Sequence, residues 1–214
     1  MDKIASGVLK FQREIAHERR ELFRTLATGQ TPRALFITCS DSRIDPCLLT
    51  QTEPGELFIC RDAGNIVPPH THNTGAMTAS IEYAVGALNV PHVIICGHSD
   101  CAALKGALRP ESIAAFPHFR LWLGYAEAAT LVVRESMGDA TEEERLRRLI
   151  EENVVLQMQH LMTHPYVAAR VRAGRTRIHG WVYDIGAGAV NAWDESAGAF
   201  VPVAERYKDL VGAA

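Results

Sequence analysis

Two short segments bring nucleophilic and metal-ligating side chains close together. His98-Ser99-Asp100-Cys101 sets an imidazole and a thiol three residues apart, directly after Gly97. At the start of a helix or turn, positions three apart project the same way, so the two side chains can share one ion. Two ligands do not hold a metal. Cys39, in Cys39-Ser40-Asp41-Ser42-Arg43, supplies a third if the strands leading into the two motifs are neighbours. Two thiolates and one imidazole fix a zinc ion and leave its fourth tetrahedral position over, as a catalytic site needs; a structural site is closed by a fourth ligand. No other Cys or His presents itself as that ligand. Asp41 stands two residues beyond Cys39 and Arg43 two further, within reach of a bidentate pair. The carboxylate then has two uses, which the sequence leaves open. It can bind the metal and close the site, or it can be held by the guanidinium and accept a hydrogen bond from metal-bound hydroxide, orienting the nucleophile.

Competing uses of these residues are weighed by position. Any one of the five cysteines, taken singly, suits a buried packing role, and that reading is kept for Cys47, Cys60 and Cys96. Cys39 and Cys101 stand beside polar neighbours that packing does not call for. An odd cysteine count in a chain long enough to build a core argues against a disulfide framework. A redox-sensing protein would pair Cys39 with Cys101 and hold little metal. A cysteine-nucleophile phosphatase needs more than the three residues that separate Cys39 from Arg43.

These residues must be positioned by regular elements. An apolar run over 34–38 reads as a buried strand ending at Cys39, and a second over 92–96 stops at Gly97-His98. Between them the pattern predicts a short helix at 46–50, a turn at 53–55 and a strand at 56–60. A loop with Gly64-Asn65 and Pro68-Pro69 follows, then a helix marked by Met77, Ile81, Val85 and Leu88 and opened by Asn73 or Thr74. The alternation predicts an α/β fold, a mostly parallel central sheet flanked by helices. Ligands in such sheets bind beyond the carboxyl ends of the strands, where Cys39 and His98 fall. The chain then reads as helical to about residue 173. Thr141 and Glu144 form a capping box ahead of a stripe of Leu146, Leu149, Ile150, Val154, Met158 and Leu161. Strands at 176–184 and 199–203 and a short helix from 204 close the chain. At the other end, residues 2–28 form one long amphipathic helix, which must cover its own domain or a second subunit.

The 214 residues, 47% hydrophobic and 22% charged, fit one globular domain. A net charge of −3 with scattered cations predicts no nucleic-acid partner. No apolar stretch approaches the roughly 20 residues of a membrane helix. No signal-like segment opens the chain, so a cytoplasmic, non-membrane protein is expected.

Taken together, the Cys39–Arg43 and Gly97–Cys101 segments resemble a β-class carbonic anhydrase. Pro54-Gly55-Glu56-Leu57-Phe58, Arg61-Asp62-Ala63-Gly64-Asn65 and His179-Gly180-Trp181-Val182-Tyr183-Asp184 belong to the same resemblance. It implies one zinc ion per chain on Cys39, His98 and Cys101, with Asp41 and Arg43 as the catalytic dyad. The implied reaction is reversible hydration of carbon dioxide to bicarbonate and a proton, by attack of zinc-bound hydroxide. Gln30, Phe58, Tyr83 and Ala102 fall at substrate-binding positions, Ala102 where many members have Gly. Asp62 stands where many have Asn and adds charge near the expected interface. Residues 1–29 would pack across the partner of a homodimer or dimer of dimers, with residues 30–214 as the zinc-binding core. Some relatives bind inhibitory bicarbonate through a Trp; here that position is Phe36, although Arg61 and Tyr183 match, so a non-allosteric type is expected. His70 and His72 are candidate proton relays. Alternatives on the same scaffold are hydrolysis of carbonyl sulfide or carbon disulfide, and a non-catalytic zinc- or bicarbonate-binding module.

Overall fold

Ala34-Leu35-Phe36-Ile37-Thr38-Cys39 has no solvent-facing residue, as expected of a strand covered on both faces, and it forms the strand β1 (Ala34–Cys39). The computed structural model describes residues 1–72 and 74–211. The chain divides into two compact units, 1–31 and 32–214.

In the first unit the expected helix is present but not continuous. α1 (Asp2–Lys10) passes into a wider turn, Phe11–Ile15, then a single turn, Ala16–Glu18. The path breaks at Arg19 (φ −102°, ψ 27°) before α2 (Arg20–Leu26). Phe11 meets Phe23 edge-on with ring centroids 5.5 Å apart. In a straight helix these positions lie about 18 Å apart, so the bend at Arg19 is what brings the rings together. None of these helical residues is buried, and Ile4, Val8, Leu9 and Phe11 face outward.

The second unit is a six-stranded sheet in the order β2-β1-β3-β4-β5-β6. β2 (Leu57–Asp62), β1, β3 (His92–His98) and β4 (Arg177–Asp184) are parallel. β5 (Ala189–Asp194) and β6 (Ala199–Pro202) add antiparallel hairpin strands. β5 is absent from the sequence reading because Asn191 and the flanking glycines blur its alternation. The helices are α3 (Pro46–Thr50), α4 (Ala76–Glu82), α5 (Ala102–Leu108), α6 (Pro117–Leu123), α7 (Glu127–Ser136), α8 (Glu142–Met162) and α9 (Pro165–Arg172), followed after β6 by the short turns α10 (Val203–Arg206) and α11 (Lys208–Val211). Thr141 and Glu144 cap α8 reciprocally, as the box motif predicts. α4 is opened by Gly75 rather than Thr74, with no side-chain cap; Asn73 lies outside the described residues. Among the described residues no helix is long and apolar enough to cross a membrane.

α8 lies close on the sheet because glycines face it. A Cβ on Gly97 would stand 2.9 Å from Val154 Cγ2, and one on Gly180 would stand 2.8 Å from Val154 Cγ1 and 2.5 Å from Met158 Sδ. β1 runs back through the sheet to β2 on one side, while β3 lies on its other side. The gap between β1 and β3 is therefore the topological switch point, where α/β sheets bind ligands.

Candidate metal centre

Cys39 ends β1 and His98 ends the neighbouring β3, which places both side chains at that switch point. The chain then turns sharply through Asp100 (φ 58°), delivering Cys101 to the cap position of α5. The ligand atoms of Cys39, His98 and Cys101 all lie within 4.8 Å of one another, the only group of its kind among the described residues. Sulfurs and nitrogen on a tetrahedral zinc ion would sit about 3.5–3.8 Å apart, so a small contraction closes the set. His98 is fully buried, its Nδ1 bonded to Ser99 O at 2.9 Å, while its Nε2 has no partner. An orphaned buried imidazole nitrogen facing two thiols is what a metal would satisfy. The residues fit zinc.

The thiols are electrostatically inequivalent. A hydrogen bond from Cys101 pulls the Cys39 thiol well below its ordinary value, helped by His98 and by the Gly64 N–H, 3.3 Å from Cys39 Sγ. The same bond, with burial, holds Cys101 far above its ordinary value. Metal binding at such a pair takes both sulfurs as thiolates and releases their protons.

Asp41 and Arg43 are paired as the spacing allows. Arg43 Nε donates to Asp41 Oδ1 at 3.0 Å, Nη2 to Oδ2 at 2.8 Å, and the Arg43 backbone N–H to Oδ1 at 2.9 Å. These bonds hold the Asp41 carboxyl well below the usual carboxylate range. Its Oδ2 is 4.0 Å from His98 Nε2. Sequence reasoning missed the other half of this arrangement. Arg43 Nη1 also donates to Asp100 Oδ2 at 3.0 Å and Nη2 to Asp100 O at 3.2 Å, while Lys105 pairs with the same carboxylate. One guanidinium therefore ties the C-x-D-x-R segment to the H-x-x-C turn. Arg61 secures the first segment from behind, donating to Cys39 O at 3.0 and 2.9 Å and to Asp41 O. The acidic residue inside the H-x-x-C motif was the available signal for Asp100.

Phe58 and Tyr83 stand together, ring centroids 6.0 Å apart, Phe58 half-buried and Tyr83 exposed. Ala102 is the exposed first residue of α5. Gln30 belongs to the first unit. The Asp62 side chain turns inward, Oδ1 accepting the Ile66 N–H at 2.7 Å. Burial pushes its carboxyl up to about 7. His70 is exposed and packs edge-on to His164, and His72 is also exposed.

Residues 34–190 match the family described as carbonic anhydrase. The chain belongs to the β-class carbonic anhydrases. It is 46% identical to the carbonic anhydrase of Pseudomonas aeruginosa over 205 residues, 96% of this chain and 93% of that one. It is 42% identical to the Synechococcus elongatus carbonic anhydrase, over 89% of this chain and 70% of that protein. The structure of the β-carbonic anhydrase CcaA superposes with a TM-score of 0.92 at 39% identity, covering 94% of this chain and 91% of that one. A tetrameric β-carbonic anhydrase from Sordaria macrospora superposes at 0.79 with 31% identity, covering 94% and 98%. The α/β fold and the enzyme class expected from the motifs are those of this carbonic anhydrase family.

Proposed function

We propose that this carbonic anhydrase hydrates carbon dioxide reversibly, using one zinc ion per chain held by Cys39 Sγ, His98 Nε2 and Cys101 Sγ. The observation that carries the proposal is the convergence of two thiols and an unpartnered, fully buried imidazole nitrogen beside an Arg-locked carboxylate. Bound there, zinc supplies a Lewis acid that makes hydroxide available near neutral pH.

The protein's own groups do the rest. Asp41, kept ionised and fixed in plane by Arg43, is placed to accept a hydrogen bond from a nucleophile arriving beside His98 Nε2. A fixed acceptor leaves the attacking lone pair, rather than the proton, facing the carbon of CO2, and positioning of this kind lowers the barrier without new covalent chemistry. Both Asp41 oxygens are engaged by Arg43, which favours orientation over closure of the site by the carboxylate. Phe58 and Tyr83 supply an apolar wall for a substrate without charge. Gln30 and Ala102 are proposed contacts on the family resemblance. His70 and His72 are proposed as exits for the proton to solvent.

The enzyme is proposed to work as a homodimer or dimer of dimers, with residues 1–29 as the dimerisation segment and 30–214 as the core. The outward-facing Ile4, Val8, Leu9 and Phe11 are the apolar surface such a contact would cover. The non-allosteric type is favoured because Phe36 offers no donor and packs on Trp181 at 6.1 Å, while Arg61 is spent on backbone carbonyls. Five free thiols, two of them needed as ligands, suit a reducing cytoplasm. Metal analysis of purified protein should give about one zinc per chain, and stopped-flow dye assays should show CO2 hydration. Metal-replete protein lacking both refutes the proposal, and sulfide release from carbonyl sulfide exceeding CO2 hydration would reassign the substrate.

A further inference from the structure

Two amide side chains interrupt the apolar stripe of α8. Asn153 and Gln157, one turn apart between Ile150, Val154 and Leu161, are both fully buried. Burying two primary amides is costly unless their hydrogen bonds are made. Their partners show what they hold. Asn153 Nδ2 donates to Gly64 O at 3.0 Å, and Asn153 Oδ1 accepts from Gln157 Nε2 at 2.9 Å. Gln157 Oε1 accepts the Val67 N–H at 2.8 Å, and its Nε2 also reaches Tyr125 O at 3.3 Å. The pair therefore grips the loop after β2 at both ends of a four-residue span.

That loop reaches the metal centre by a backbone hydrogen bond. The Gly64 N–H points at Cys39 Sγ from 3.3 Å. Gly64 has φ +90°, a conformation that L side chains rarely adopt, and a Cβ there would stand 3.3 Å from Ala103 Cβ. Glycine adopts this φ without strain and is the most flexible residue of the chain, so the direction of its N–H depends on what its neighbours hold. We propose that Asn153 and Gln157 are positioning residues of the metal centre, fixing the backbone from Gly64 O to the Val67 N–H so that the Gly64 N–H, on the preceding peptide, stays on the Cys39 sulfur. The inference rests on the assignment of Cys39 as a zinc ligand. A donor on a thiolate draws off charge that the sulfur would otherwise pass to the cation. Outer partners of this kind orient ligands and tune a metal site. In a site with two thiolates, this keeps the metal acidic enough to work near neutral pH.

The test compares Asn153→Leu with Thr130→Val, which removes a buried α7 hydroxyl that bonds the Ala126 carbonyl rather than the loop. Each protein is loaded with zinc and with cobalt(II). The inference expects zinc affinity, measured by chelator competition, to fall about 10- to 100-fold in Asn153→Leu and to stay near the wild-type value in Thr130→Val. It also expects the sulfur-to-cobalt charge-transfer band to shift in the first variant alone, and the midpoint of its pH–rate profile to move to higher pH. Asn153→Ser, whose hydroxyl is too short to reach Gly64 O, carries the same expectations if the leucine variant does not fold. A band and an affinity unchanged in both Asn153 variants overturn the inference while leaving the zinc ligands standing. A wild-type protein with no thiolate–cobalt band overturns the ligand assignment itself, and the inference with it.

Discussion

The tight seat of α8 on the sheet can be probed by adding one carbon. In Gly97→Ala the new Cβ would lie 2.9 Å from Val154 Cγ2, 3.3 Å from Ile150 Cγ2 and 3.6 Å from Asn65 Oδ1. Val154 is fully buried, and a β-branched side chain in a helix has one strongly preferred rotamer, so it resists swinging away. The helix must move or the contact stay compressed, and overpacking of this kind costs about 1–3 kcal/mol. For a chain of this size, that lowers the unfolding temperature by about 2–12 °C. Val154→Ala alone loses two buried methyl groups, about 1.6 kcal/mol of transfer energy plus a cavity penalty. In the double variant the added methyl occupies space left by the valine, so its cost should be smaller than the sum of the single costs by at least about 1 kcal/mol. The assay is reversible urea unfolding at fixed protein and zinc concentration, because both bias the midpoint. Additive costs, or a Gly97→Ala protein as stable as wild type, would refute the claim that Gly97 is there to let the helix approach.

Three further outcomes follow from the site. Arg43→Lys keeps the charge but loses the fork that bonds Asp41 and Asp100, so kcat/KM should fall by about 100-fold with zinc content unchanged; activity within threefold of wild type would remove orientation from the mechanism. Burial raises Asp62 to about 7 in the folded state, against about 3.9 when unfolded. The neutral carboxyl is favoured by folding, so its contribution is complete below the unfolded value and is lost as pH rises through 7. Asp62→Asn should therefore gain stability relative to wild type between pH 5 and 8, read from urea midpoints; parallel curves would contradict the buried placement. Stripping the metal with a chelator should abolish hydration, and about one equivalent of zinc should restore it.

Much of this was legible in the chain itself. An apolar run covered on both faces identifies a parallel strand, and residues at its carboxyl end fall where such sheets bind ligands, so Cys39 and His98 could be placed before any coordinates. The spacing of His98 and Cys101, and of Asp41 and Arg43, is short enough that local geometry settles each pair. Contacts between segments distant in the chain are a different matter. No periodicity foretells that the Arg43 guanidinium also reaches Asp100, that Arg61 braces the Cys39 carbonyl, or that Asn153 and Gln157 hold Gly64 from a helix about ninety residues away. The same holds for the bend at Arg19, which brings Phe11 and Phe23 together across a helical pattern, and for Asp62, whose inward turn depends on a loop amide. Hydrophobic pattern and ligand spacing are properties of neighbouring residues and survive in one dimension. The partners of a buried polar group are decided by which surfaces meet when the helix closes over the sheet, and only the tertiary structure holds that information.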